Sequence, residues 1–301
     1  MNVKRASAVA ASALLLGTLA TVPASTAAVA SSTAACTMAV GSVTSGGDIG
    51  SARITAGSPV TAKQSTGVHM FTPGITKMSS TWTWRPEVPA GHMTSGEVLL
   101  NTTLYDAWYG VGDDGGPVTG MSRSGTGYGS YIVTERVSYE YAGIPNATYR
   151  LRNDGVLYRW QYDLSDPHGG ATVTRYTGFS AVKTMALISE TKAYDTFLAN
   201  TRGGALYTIR VPRDAALKPV VKKVRTSTWQ TFEHLVAEKC GTQSTLLTAI
   251  DKDTGSAYLY AVGHANGTST VIKGLGKVPG VYNDPVYYLH TIDATPPLYG
   301  E

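Results

Sequence analysis

The sequence predicts an all-β fold, a five-bladed β-propeller built from units of about 50 residues, on three observations. The dipeptide Leu-Tyr returns at 104–105, 157–158, 206–207, 259–260 and 298–299, and its first three intervals are 53, 49 and 53 residues. No segment beyond the N-terminal leader carries a sustained 3.6-residue apolar stripe, so amphipathic helices have no support. Charged residues make up 15%, with 33 Gly and 18 Tyr against 4 Phe, where a typical soluble chain carries about 25% charge. Many turns and rings that tolerate partial exposure suit short, half-buried strands. At roughly 150 residues per domain the length alone suggests two domains; the spacing points instead to one ring.

The first element, residues 1–30, reads as a secretory signal peptide. Lys4 and Arg5 form a basic start, the apolar run Ala8–Ala20 is too short to span a bilayer, and small-residue cleavage options follow, ending at Ala24, Ala28 or Ala30. Secretion to the extracellular space is the expectation. Removing the leader leaves 23 cations against 21 anions. A nearly neutral chain is not expected to bind nucleic acid, and its one basic cluster, Lys218, Lys222, Lys223 and Arg225, reads as the guarded edge of an outer strand. No second stretch of 18 apolar residues exists, so no membrane partner is expected after processing.

Residues 31–49 read as a lead, in which Cys36–Val43 serves as an outer or inner closing strand of the last blade. Cys36 and Cys240 are the two cysteines of the chain, and outside the cell an even count suggests one disulfide, here joining positions 204 residues apart. Residues 50–301 hold five units, opening near 51, 104, 157, 206 and 259. The stretches NDGVLYRW (153–160), GGALYTI (203–209) and DTGSAYLYAV (253–262) each follow an apolar strand and a polar turn. Asn-Asp-Gly is a strong hairpin signal because such residues tolerate positive φ. A weaker mid-unit match pairs Trp229, Phe232 and Leu235 with Phe179, Val182 and Met185. Thr231–Lys239 fits a strand or a helix equally well. Gly110–Gly129 reads as a Gly/Ser-rich loop.

These residues resemble the tachylectin-like five-bladed propeller lectins: the Gly-x-Leu-Tyr strand openings at Gly155–Tyr158 and Gly204–Tyr207, and the run of Trp229, Gln230, Phe232 and Leu235. The resemblance is fullest over 130–301. It implies recognition of N-acetylated or neutral sugars in pockets between adjacent blades, without catalysis and without a cofactor. A Tyr/Trp-rich, charge-poor surface suits such glycans, because C–H faces of sugars stack on rings while planar polar groups bind hydroxyls. Trp160 and Trp229 are the candidate platforms. Asn153, Asp154, Asn200, Arg202, Asp251 and Asp253, in equivalent turns, are the candidate polar readers; each of these also has a bland reading as turn geometry, and each Trp as packing.

Two other readings compete. The ring can serve as a scaffold for another secreted protein, or it can house a glycosidase, which needs two carboxylates about 5 to 10 Å apart. The acids, Asp48, Glu135 and Glu238 among them, are numerous enough, but no acid falls at the same inner-strand position of successive units. The six histidines are scattered without a zinc spacing, no Gly-x-Ser-x-Gly elbow exists, and no Walker or dinucleotide fingerprint appears.

Overall fold

The computed structural model describes residues 35–86, 91–138, 146–162, 170–292 and 298–301. The chain divides into Met1–Thr33 and Ala34–Glu301. The first part, with the expected signal peptide, lies outside the described residues. Within the second, no helix occurs among the described residues, and the fold is all-β.

The strands follow in chain order. β1 (Thr37–Val43), β2 (Asp48–Thr55) and β3 (Thr61–His69) form an antiparallel meander. Next come β4 (Thr76–Ser79), β5 (Trp82–Pro86), β6 (His92–Leu100), β7 (Thr103–Val111) and β8 (Pro117–Thr126), with β4 and β5 both paired to β6. The break between β4 and β5 is bridged by Ser80, whose Oγ accepts the Glu97 N–H at 2.9 Å while its own N–H donates to Glu97 O at 3.0 Å. Three four-stranded antiparallel sheets follow. They are β9 (Tyr131–Val137) to β12 (Ala171–Tyr176) through β10 (Ala147–Arg152) and β11 (Leu157–Tyr162); β13 (Val182–Glu190) to β16 (Val220–Arg225) through β14 (Tyr194–Thr201) and β15 (Leu206–Pro212); and β17 (His234–Cys240) to β20 (Ile272–Val278) through β18 (Ser244–Asp251) and β19 (Ser256–Val262).

β21 (Val286–Ile292) closes the arrangement. It pairs antiparallel with β1, Val40 opposite Leu289 and Val43 opposite Val286, so the first sheet runs β21-β1-β2-β3. A short parallel pairing with β5 joins these four strands to the β4–β8 group, so that by hydrogen bonding the nine strands are one continuous sheet of two parts. The leading strands β21, β4, β9, β13 and β17 neighbour one another in a closed circuit. The segment expected to close the ring, Cys36–Val43, therefore holds the second position of its sheet. Cys36 and Cys240 form a disulfide, Cα atoms 5.6 Å apart, tying the start of β1 to the end of β17.

One contact recurs around the circuit. An aromatic residue after each outer strand donates its backbone N–H to the turn between the second and third strands of its sheet: Phe71 to Gly47, Tyr128 to Thr102, Phe179 to Gly155, Trp229 to Gly204 and Tyr282 to Gly255, all at 2.9–3.0 Å. Gly155 illustrates the demand on the turn. Its φ is +84°, and a Cβ there would collide with the Ser180 backbone, so no other residue fits without strain. The positions near 51, 104, 157, 206 and 259 all fall on third strands, in β2, β7, β11, β15 and β19.

One open reading is settled and another needs correction. Thr231–Lys239 is strand from His234 onward. Gly110–Gly129 is not a loop: β8 occupies Pro117–Thr126, and Gly120 belongs in it because a Cβ would meet the Trp108 ring directly opposite. The glycines there make room for a cross-strand ring rather than for a flexible loop.

The disulfide and the β1–β21 pairing close the same ring. Replacing both cysteines by Ser is expected to lower stability by about 2–5 kcal/mol, the range for native long-loop crosslinks. Urea unfolding of wild type and variant checks this; coincident midpoints would mean that the strand pairing alone holds the closure.

Candidate functional site

Four of the five junctions between neighbouring sheets are filled by large apolar clusters among the described residues. The fifth, between the β4–β8 and β9–β12 sheets, has only Met78, Leu99 and Leu104 as its buried apolar cluster, with Tyr128 and Tyr131 half-buried against it. Polar groups and rings fill the rest.

Strand alternation builds this junction. Tyr158 and Trp160 sit two apart on β11, hence on one face, with ring centres 5.4 Å apart and planes 26° from parallel. Tyr131 meets both, at 5.9 Å and 6.3 Å, and Tyr128 lies 5.3 Å from Tyr131. All four rings are half-buried. Beneath them Arg150 on β10, opposite Tyr158 in the ladder, is 4% exposed. Its Nη2 donates to both Glu97 oxygens, at 2.7 and 2.8 Å, and its guanidinium lies 4.7 Å from the Trp160 ring centre. Thr134 donates to the same carboxylate at 3.2 Å. At the rim Arg152 pairs with Asp154 at 3.0 Å and reaches Tyr158 Oη at 3.4 Å. The result is a partly exposed aromatic strip over a buried ion pair, in which Arg150 Nη2 is bonded to Glu97 while Arg150 Nε has no partner among the described residues.

The structure separates the residues singled out from sequence. Trp160, Asn153 and Asp154 belong to this junction; Asn153 and Asp154 are exposed in the β10–β11 turn, where Asp154 Oδ1 accepts the Val156 N–H at 3.1 Å. Trp229 is a correction: at 5% exposed it packs with Phe232, Leu206 and Leu235 between the β13–β16 and β17–β20 sheets, and its ring has no free face for a ligand. It holds the recurring aromatic position, where burial is the rule. Asn200 is a second correction. It is fully buried, donating from Nδ2 to Trp229 O at 2.7 Å and Phe232 O at 2.9 Å and accepting the Thr184 N–H at 3.2 Å, so both donors tie its sheet to the segment ahead of β17. Arg202, exposed, clasps the backbone at Ser180 and Val182, 2.6 and 3.0 Å. Asp251 caps its own turn through the Thr254 N–H at 3.1 Å, and Asp253 is exposed beside it. The residues that sequence reasoning missed are Tyr131, Tyr158, Arg150 and Glu97. Tyr158 was visible as half of a Leu-Tyr pair, and its two-residue offset from Trp160 was the signal that both face one way.

A second feature overturns the placement argument about acids. A cavity of about 170 Å³ is lined by all five leading strands, and Glu135 on β9, Glu190 on β13 and Glu238 on β17 line it from three successive sheets. Burial pushes Glu135 up to about 8, with the charge on Glu190 adding to it and a hydrogen bond from Thr81 at 3.1 Å opposing it. Burial likewise raises Glu190 to about 7, with Glu238 adding, and raises Glu238. His234, in the same lining, is pushed down to about 4 by burial and by Lys252. Bulged registers on β13 disguise the alignment in sequence. Among the described residues no group of three His, Cys, Asp or Glu is arranged to hold a metal.

No protein-family model matches the chain, and no curated protein matches it. Solved structures similar to it include an Aleuria aurantia lectin mutant in complex with Fucα1-6GlcNAc, at 11% identity over 81% of this chain and 79% of that one, TM-score 0.45. The α-L-arabinofuranosidase PaAbf62A from Podospora anserina, in complex with cellotriose, is 13% identical over 74% of each chain, TM-score 0.42. The SapL1 lectin in complex with α-methyl fucoside is 9% identical over 83% of this chain and 98% of that one, TM-score 0.38. With TM-scores below 0.5, none of these likenesses decides what this chain binds.

Two outcomes follow from the geometry. Trp229→Ala is expected to cost about 3–5 kcal/mol, as for a buried aromatic, and Trp160→Ala under about 1 kcal/mol; comparable losses in denaturant unfolding would overturn the division between packing and platform. The raised glutamates set a pH slope. Native Glu135 and Glu190 hold protons that the unfolded chain has released above its carboxylate pKa, so stability falls as pH rises toward about 8. His234 acts in the opposite sense, but only between about 4 and its ordinary 6.5. Unfolding midpoints between about pH 6.5 and 8 should therefore decline, and Glu135→Gln should flatten the decline.

Proposed function

We propose that the chain is a secreted five-bladed β-propeller of about 50-residue units that binds neutral or N-acetylated sugars on cell surfaces without catalysis. The observation that carries this reading is the junction of Tyr128, Tyr131, Tyr158 and Trp160 over Arg150 and Glu97. Where the other junctions are closed by apolar packing, this one leaves ring surface half exposed beside Arg152, Asn153 and Asp154. Rings supply stacking area and the polar rim supplies orientation, the division of labour expected of a small-ligand site. The closed circuit of leading strands and the recurring aromatic-to-turn contact support the five-bladed ring.

A second reading, hydrolysis of a glycosidic bond, is favoured by one observation: three carboxyls, two of them raised to about 8 and about 7, face a common cavity. An acid still protonated near neutral pH is what protonates a leaving group.

A glycan array followed by calorimetry with free N-acetylglucosamine tests the binding reading. Trp160→Ala is expected to weaken the sugar bound at least tenfold, about 1.4 kcal/mol, with the fold intact. If no sugar binds at millimolar concentration while culture fluid yields one stoichiometric protein partner, the chain is a scaffold. Sugar release from polysaccharide that Glu135→Gln or Glu190→Gln abolishes would make it a glycosidase.

A further inference from the structure

A cavity of about 550 Å³ opens between the β13–β16 and β17–β20 sheets, away from Trp160, and is lined by Tyr194, Arg210, Gln243, His264, Tyr299 and Glu301 among others. Two of these come from residues 298–301, which backbone hydrogen bonds fix to both sheets. Glu190 N–H donates to Leu298 O at 2.9 Å, Gly300 N–H to Ile188 O at 2.8 Å, and Ala265 N–H to Gly300 O at 2.6 Å.

Arg210 is the centre of the cavity's chemistry. The face of its guanidinium lies on Tyr194, 4.2 Å from the ring centre, and its Nε donates to Glu301 Oε2 at 3.2 Å, an oxygen that also accepts from Thr196 at 2.7 Å. Glu301 is 6% exposed; its side chain pairs with Arg210 and Thr196, and its main-chain oxygen accepts from Ser189 at 3.1 Å and Tyr194 at 3.3 Å, so what Arg210 offers a ligand is fork geometry more than uncompensated charge. With one face and the Nε edge committed, the Nη1–Nη2 edge remains, and among the described residues it has no acceptor. That edge is the fork that binds a carboxylate through two parallel hydrogen bonds. Tyr299, 45% exposed, offers an apolar ring wall, and Lys239 Nζ lies 5.6 Å from its centre, adding a second cation at the rim. His264 Nδ1 is engaged by Tyr299 O at 3.3 Å, which leaves its Nε2 and the Gln243 amide for hydroxyls.

We propose that this cavity is a second binding site, specific for an acidic monosaccharide of the hexuronate type: carboxylate on the Arg210 fork, ring against Tyr299, hydroxyls to Gln243 and His264. It differs from the proposed neutral-sugar site in place and in ligand charge, and does not depend on it.

Ligand-observed NMR titrations of the full chain with D-glucuronate, D-glucose and acetate test it. The expected result is glucuronate binding at least tenfold tighter than either of the others. Arg210→Lys, which keeps the charge but loses the fork, should remove most of that preference, Tyr299→Ala should weaken glucuronate at least threefold, and Trp160→Ala should leave it unchanged. Equal binding of glucose, or a folded Arg210→Lys that keeps the preference, overturns the proposal. Acetate matching glucuronate overturns its saccharide part. Should Arg210→Lys fail to fold, Tyr299→Ala decides, and unchanged glucuronate affinity there is also fatal.

Discussion

The pairing of Val286–Leu289 with Val40–Val43 joins strands nearly 250 positions apart and closes the circuit that the other sheets share. It fills the leading position of the β1–β3 sheet, which that stretch of chain does not supply for itself. It also delivers Tyr288, buried and stacked 5.5 Å from Trp82, to the junction with the following sheet. Gly41 gives that ring its space, since a Cβ would fall onto it, and Ser42 Oγ donates to Asp284 at 2.6 Å just before the strand begins. Such closure is entropically costly until it is complete. The disulfide acts on the same strand, holding β1 to β17 while β21 supplies the ladder.

With the circuit closed, each junction must be filled, and how it is filled decides where a ligand can sit. The recurring aromatic position puts Phe71, Phe179, Trp229 and Tyr282 into buried packing, each 8% exposed or less. Tyr128 holds the fifth such position but remains half-buried, at the one junction built around Arg150 and Glu97. A buried ion pair contributes little net stability, because desolvation offsets most of its attraction. Replacing apolar packing by that pair therefore gains the fold little. It does hold Trp160 and Tyr158 rigidly with ring area left at the surface, as a binding site requires.

The fold was legible in the sequence to the extent that spacing carries it. Leu-Tyr pairs and Asn/Asp/Gly turns mark third strands because a tight turn demands its residues locally, whatever the rest of the chain does. The pairing of β21 with β1 left no local mark, since register between distant strands is a tertiary choice. The site was half legible. Trp160 and Trp229 look alike in sequence, each a Trp followed by Gln among polar neighbours, and only the outer-strand turn beside Trp229 puts it under the next sheet. Asn200 looked like the polar turn residue Asn153 and instead sits one strand-end earlier, buried. Glu190 escaped notice because bulges on β13 shift its register relative to Glu135 on β9.

The protonation of the central carboxyls follows from the space they line. The cavity that holds Glu135, Glu190 and Glu238 measures about 170 Å³, close to the roughly 150 Å³ of an engineered cavity that takes one benzene. So narrow a space leaves the lining carboxyls little water. The raised glutamates then have a simpler cause. Residues that line a narrow space between packed sheets lose solvation, and a carboxyl that remains protonated avoids the cost of burying its charge. Half-exposed ring surface occurs instead at the junction of the β4–β8 and β9–β12 strands, beside Arg152, Asn153 and Asp154.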